Sequence, residues 1–307
     1  MVATVSYDTM TVVISYVVCA AVWSTTWFAI RVCIGPGGYP TFAAAALRFS
    51  IAGLILFALV RLGFGRPGPR TRRQVVWLVV AGLCNAVGYG CVYVAEESLP
   101  GGLVALLFAT LPLFTALAVA ATGTERVRPV DVGAALLSLG GMAILFWDRL
   151  SISSDQAAGV GFAVTAVVAT MFYNLILKRE AGAVNPLSSA ALFLTVAAAG
   201  LWLPALVEET AAIPFPPPVA PTLALFYLAI FGSVIAFASF FYMLRRVTLM
   251  TASTLVLIQP VVALLVDAVW EKQVRLVARS YVGAAVTFAG VLVGMIWKWR
   301  AARAVRA

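Results

Sequence analysis

The sequence contains no histidine, only 12 Asp and Glu residues among 307, and four cysteines with no C-x-x-C spacing. Without histidine the chain lacks the commonest metal ligand and the one side chain that ordinarily titrates near neutral pH. Zinc chemistry and histidine-based catalysis are therefore excluded. Cys19, Cys33, Cys84 and Cys91 all fall in apolar runs, which reads as small buried residues and not as a disulfide framework or a metal knuckle. Also missing are a G-x-G-x-x-G after a strand and a Walker lysine, so no nucleotide-hydrolysing motif supplies energy. A membrane-embedded enzyme would need a buried nucleophile–base pair or an acidic metal cluster, and the apolar runs offer neither. No cofactor or metal is called for.

What the chain has in abundance is apolar surface. Hydrophobic residues make up 63% of it and charged residues 11%, against ~45–50% and ~25% in an ordinary soluble domain. The fold class that follows is an all-α integral membrane protein. The net charge of +9 does not imply nucleic acid, because Lys and Arg sit in short connections between apolar runs with no interleaved stacking aromatics. Met1 to Met10 carries no Lys or Arg and leads into an apolar run longer than a signal-peptide core, so it reads as a retained first helix.

Crossing a bilayer takes ~20 apolar residues in a helix. Runs of that kind are expected at 10–33, 39–61, 74–95, 99–121, 129–147, 157–177, 187–206, 222–244, 250–270 and 280–298, ten transmembrane helices in all. They divide in two. The pattern G-A-A-x4-G-x6-W at Gly133 to Trp147 returns 150 residues later at Gly283 to Trp297, as expected of a duplicated unit. The expected units are 1–150 and 151–307, each of five helices. An odd number of crossings per unit makes the second inverted relative to the first.

The basic residues give that topology a direction. With the N-terminus inside, fifteen Lys and Arg fall on the cytoplasmic side and five outside, which favours cytoplasmic N- and C-termini. Glu97 and Arg245 each stand 15 residues before a proline, Pro112 and Pro260. Acid outside and base inside at matching places suits an inverted pair. The connection 207–221, rich in Glu and Pro, reads as an external extended strap.

Polar side chains inside a bilayer face a bundle interior or a wet cavity. Asn85, Tyr89, Tyr93 and Glu96 share one face of the third helix, and could equally serve as packing glue. Cys19, Trp23, Thr26 and Trp27 form a stripe on the first helix. Thr170, Tyr173 and Asn174 cluster on the sixth, and Phe231, Ala238 and Tyr242 share a face of the eighth. Phe108 and Gln259 stand near Pro112 and Pro260, where a proline frees a carbonyl of the preceding turn. These patterns place a substrate site between the halves, built from Trp23, Trp27, Asn85, Tyr89, Phe108, Tyr173, Asn174 and Gln259, with Pro112 and Pro260 as hinges. Arg48 is the one basic residue deep in a span. It either fixes carbonyls of a neighbouring helix or meets a substrate carboxylate.

Several stretches resemble the EamA-type branch of the drug/metabolite transporter superfamily. They are Trp23-Ser24 through Arg31, P-T-F-A-A-A-A-L-R-F from Pro40, L-P-L-F-T-A-L around Pro112, Glu125 followed by Gly133-Ala134-Ala135, and Q-P-V-V-A-L-L from Gln259 with Glu271 and Gly283-Ala284-Ala285. Within the superfamily the chain looks most like the YddG-type exporters of aromatic and other amino acids. The resemblance implies ten helices in an inverted five-plus-five repeat and alternating access. It also implies export of a small-molecule substrate, foremost an amino acid, across the bacterial cytoplasmic (inner) membrane. A drug or sugar-nucleotide carrier is the alternative within the superfamily. The second half lacks a good counterpart of Arg48, so the two sides of the site are not expected to be symmetric. Besides substrate and lipid bilayer no partner is expected, and no oligomeric assembly is implied.

Overall fold

A computed structural model describes residues 7–64, 68–145, 147, 156–180, 184–210, 212–270 and 278–304. Among them every regular element is helical. In chain order they are α1 (Tyr7–Ile34), α2 (Thr41–Arg61), α3 (Arg72–Ser98), α4 (Gly101–Phe108), α5 (Leu111–Thr122), α6 (Pro129–Leu145) and α7 (Ala157–Glu180). Then come α8 (Pro186–Val207), α9 (Val219–Ala229), a π turn (Ile230–Ile235), α10 (Ala236–Leu244), α11 (Leu249–Ser253), α12 (Leu255–Trp270) and α13 (Ala278–Ala304). Glu271 and the connection residues Arg66, Arg149, Lys272, Arg275 and Arg306 lie outside the described residues.

Seven stretches of the described chain are long and apolar enough to cross a membrane, with α4–α5 and α9–α10 each counting as one. Three shorter apolar helices accompany them, Pro129–Leu145, Leu249–Val262 and Ala278–Gly294. Local signals set the helix ends. Thr71 and Gln74 form a capping box at the start of α3, and the Asn185 side chain caps α8 with Pro186 in its first turn. Gly123 ends α5 in the left-handed conformation, φ 61°, which costs a residue without a Cβ little.

The packing is symmetric between the halves. α2 lies along α8 and α6 along α13, while α3 packs on α7 and α1 on α9, α10 and α12. A two-fold relation generates this pattern, because equivalent helices either meet one another or exchange partners.

A close approach joins α6 to α13. Ser138 Oγ donates to the Thr287 carbonyl at 3.1 Å, and Thr287 Oγ1 donates to the Ser138 carbonyl at 3.3 Å. A Cβ on Gly141 would come within 2.7 Å of the Gly283 carbonyl oxygen, and one on Gly290 within 2.7 Å of the Ser138 nitrogen. Nothing stands within 4 Å of such an atom on Gly133 or Gly140. The pairing of Gly133 with Gly283 and Gly140 with Gly290 is therefore one residue out of step with the contact surface. Ser138 and Thr287 face each other 149 positions apart, which pairs Gly141 with Gly290 and Ala134 with Gly283. The Gly140-Gly141 doublet hides the shift: either glycine completes a sequence match, and only Gly141 points at α13.

Two spans are interrupted. α4 ends where Thr110 N and Thr110 Oγ1 both turn back to the Leu107 carbonyl, the latter at 2.6 Å, and Pro112 opens α5. In the second half the break falls at Thr254, whose Oγ1 donates to the Thr251 carbonyl at 2.7 Å and pairs with the Tyr16 hydroxyl at 2.9 Å. Pro260 then sits inside α12. The two prolines are equivalent in sequence, and each break carries a threonine whose hydroxyl turns back to the carbonyl three residues earlier, but only Pro112 stands at its break.

Introducing a branched side chain at Gly141 or Gly283 overpacks α6 against α13, a cost of roughly 1–3 kcal/mol. Thermal unfolding of the purified protein should show Gly141→Val and Gly283→Val lowered, with Gly133→Ala and Gly140→Ala unchanged or raised. The reverse ranking would mean the contact register is the 150-residue one.

Candidate functional site

Where α1, α3, α4, α5, α7, α10, α11 and α12 converge there is a cavity lined by side chains from both halves. The structure brings Trp23, Trp27, Tyr89, Phe108, Tyr173, Asn174 and Gln259 onto its wall. Asn85 does not join them. It is fully buried, and both its side-chain polar atoms lack a partner among the described residues. The helical spacing puts Asn85 on the stripe of Tyr89, but one turn earlier α3 is already closed against its neighbours. The cavity reaches Gly88, whose Cβ would meet Ala169 of α7 at 3.5 Å.

The walls are aromatic and interlocked. The Trp23 ring lies 5.3 Å from both Phe237 and Phe240, Trp27 lies 5.3 Å from Phe108, and Tyr89 stands edge-on to Phe49 at 4.8 Å. Tyr173 meets Phe193 at 5.4 Å. Such contacts contribute about 0.5–1.5 kcal/mol each beyond area burial and hold the rings in place for a ligand. Polar groups are few: Thr26, Thr170, Asn174 and Gln259 reach the lining, and among the described residues no charged side chain does. Trp27 Nε1 and Asn174 Oδ1 are buried without a partner among the described residues, one donor and one acceptor on the same cavity.

Behind one wall lies an unusual junction. The π turn widens the α9–α10 span by one residue, which leaves carbonyls without their usual helical donors. The Gly232 carbonyl accepts from Trp23 Nε1 at 3.1 Å and from Arg48 Nη2 at 3.2 Å. Ser233 Oγ accepts from Arg48 Nε at 2.9 Å while donating to the Leu228 carbonyl at 2.9 Å. Arg48 is fully buried, with its guanidinium carbon 5.1 Å from the Phe49 ring centre and 5.0 Å from that of Tyr89. Of the two roles open to Arg48, holding neighbouring carbonyls is directly visible, and it is not on the cavity wall.

The same π turn corrects the reading of the eighth span. Phe231, Ala238 and Tyr242 share a face only on an unbroken α-helix. With an inserted residue, Phe231 stacks on Tyr227 at 5.4 Å and is 45% exposed, and Tyr242 lies beneath Arg246. Phe240 turns to the cavity instead. In F-A-S-F-F-Y no pattern distinguishes Phe240 from its neighbours, and only the π turn could have singled it out.

One end of the bundle is closed by charge across the halves. Both Glu125 oxygens accept from Leu249 N at the start of α11, at 3.0 and 2.9 Å, and Lys178 Nζ stands 3.8 Å from that carboxylate. Lys178 also donates to the carbonyls of Leu244 at 3.0 Å and Val247 at 2.5 Å. A carboxylate at a helix start and an ammonium at a helix end both complement the helix dipole. At the other end Glu209 accepts from Phe42 N and from Ala43 N at 2.9 Å, and Thr41 donates to Glu97.

The model of the EamA-like transporter family matches the chain twice, over residues 10–147 and 157–296. The chain belongs to the EamA-like transporter family. The inner membrane transporter YedA of Escherichia coli (strain K12) is 31% identical over 260 residues, 80% of this chain and 78% of that one. A probable terminal-alkyne amino-acid exporter of Streptantibioticus cattleyicolor is 28% identical over 284 residues, 88% of each. A solved structure aligns with a TM-score of 0.75 over 93% of this chain and 97% of its own, at 24% identity, and shares the fold. In this EamA-like transporter the duplicated family match brackets the cavity, whose lining draws on both matched segments.

The π-shifted register is checked with single cysteines at 240 and 231 in a background freed of Cys19, Cys33, Cys84 and Cys91. A small water-soluble thiol reagent should modify Phe240→Cys and leave Phe231→Cys unmodified. An inert 240 beside a reactive 231 would mean that the eighth span keeps an uninterrupted α register.

Proposed function

We propose that this transporter exports small amino acid-like metabolites, foremost amino acids with aromatic or other neutral side chains, by alternating access. In this reading the chain crosses the bacterial inner membrane ten times as two inverted five-helix halves, 1–150 and 151–307, with both termini cytoplasmic. Trp23, Trp27, Tyr89, Phe108, Tyr173, Asn174 and Gln259 hold the substrate. Pro112 and Pro260 lie in the interrupted helices that bend as one half rocks against the other. The observation that carries the proposal is the cavity between the halves, with aromatic walls and the unpartnered Trp27 Nε1 and Asn174 Oδ1. An apolar side chain suits the rings, and a group with both donors and acceptors suits the two polar atoms. The relative exporting a terminal-alkyne amino acid supports the same class. A sugar-nucleotide carrier is disfavoured, because no Lys or Arg among the described residues lines the cavity to meet phosphate charge.

The test is flux of labelled phenylalanine and threonine into proteoliposomes, with a non-amino-acid control. The parent should move the amino acids. Trp27→Phe and Asn174→Ala, each deleting one polar partner, should weaken their apparent affinity by on the order of 1–3 kcal/mol with folding retained. Flux of the control alone, or variants indistinguishable from the parent, would remove the amino acid reading.

A further inference from the structure

We infer that Arg48 makes the cavity select substrates that carry a carboxylate, its guanidinium acting on them from behind the Tyr89 ring. The inference rests on the cavity being the substrate site. It adds the charge class of the substrate and the residue that sets it.

Arg48 is fully buried, and the groups around its guanidinium are neutral: Ser233 Oγ, the Gly232 carbonyl, the rings of Phe49 and Tyr89, and the hydroxyls of Tyr89 and Tyr93. Its Nη1 has no partner among the described residues. Burying a cation with dipoles and ring faces in place of a counter-ion is costly. The positive charge therefore has a use beyond the link. Tyr89 stands on the cavity wall with Arg48 on its other side, 5.0 Å from ring centre to guanidinium carbon. Among the described residues no charged side chain stands on the lining, and Arg48, one ring away across Tyr89, adds positive potential on that side of the cavity, which a water-poor surround screens little. A carboxylate is drawn to the Tyr89 side, where the free Nη1 N–H is available to a small movement of the ring. An ammonium is drawn away from Arg48, toward the electron-rich face of Trp27 and Asn174 Oδ1. A zwitterion is thereby oriented as well as selected.

The experiment measures binding of phenylalanine, phenylalaninamide and 3-phenylpropionate to the full chain in lipid nanodiscs, for the parent, Arg48→Gln and Arg48→Lys. The parent should prefer phenylalanine to its amide by on the order of tenfold. Arg48→Gln should abolish that preference while binding the amide at least as well as the parent, and Arg48→Lys should keep part of it. Equal parental affinity for acid and amide, or an Arg48→Gln variant that weakens both alike, would make Arg48 a structural link only and overturn the inference. Should Arg48→Gln not fold, the parental comparison and Arg48→Lys decide. Binding of 3-phenylpropionate with the same dependence on Arg48, and no binding of phenylalanine, would uphold carboxylate selection and retire the amino acid reading.

Discussion

The carbonyl of Gly232 is the atom at which this structure is tied together. In a bilayer a backbone group freed from its helix must find a partner inside the protein, and the π turn frees this one. Trp23 from α1 and Arg48 from α2 both donate to it, so one irregular turn in the second half fixes two helices of the first. The consequences reach the cavity directly. Trp23 is held as a wall, Arg48 is held behind Tyr89, and the extra residue turns Phe240 inward. Gly232 also needs its missing side chain, since a Cβ there would lie 3.0 Å from Thr26 and 3.1 Å from Arg48.

Around that junction the halves are joined by two other kinds of contact. α6 and α13 meet through small residues and reciprocal hydroxyl bonds, the packing expected where apolar burial between helices drives little association. At the ends the links are ionic and cap helices, as with Glu125 and Lys178 across α7, α10 and α11. The interior surface is continuous and close-packed, whereas the end links consist of a few bonds near water. Rocking of one half on the other can break an end link at small cost while the small-residue seam persists.

Much of this was legible in the sequence. Apolar run length located the helical stretches to within a few residues but not their interruptions at Thr110, the π turn and Thr254. Helical spacing gave Trp23, Trp27, Tyr89, Tyr173 and Asn174 on the cavity wall, and nearness to Pro112 and Pro260 gave Phe108 and Gln259. What failed did so for identifiable reasons. Asn85 shares a stripe with Tyr89 and still lies off the cavity, because the close approach of α3 to α7 is a tertiary fact. Phe240 was invisible because a π turn changes register without any residue type that announces it. The Gly140-Gly141 doublet does not announce which glycine faces α13, and only the packing shows that it is Gly141. Arg48 stood out as a buried cation, but the carbonyl it holds could be found only in three dimensions.

The central claim is that the two halves move against each other around the cavity, opening one end as the other closes. Pulsed electron resonance distances between spin labels report this directly, with one pair at 126 and 245 beside the Glu125 link and another at 97 and 157 at the opposite end. Adding a transported amino acid in lipid should change the two distance distributions in opposite senses, one pair lengthening as the other shortens. Two pairs that stay fixed during measurable transport, or that lengthen together, would contradict alternating access between these halves.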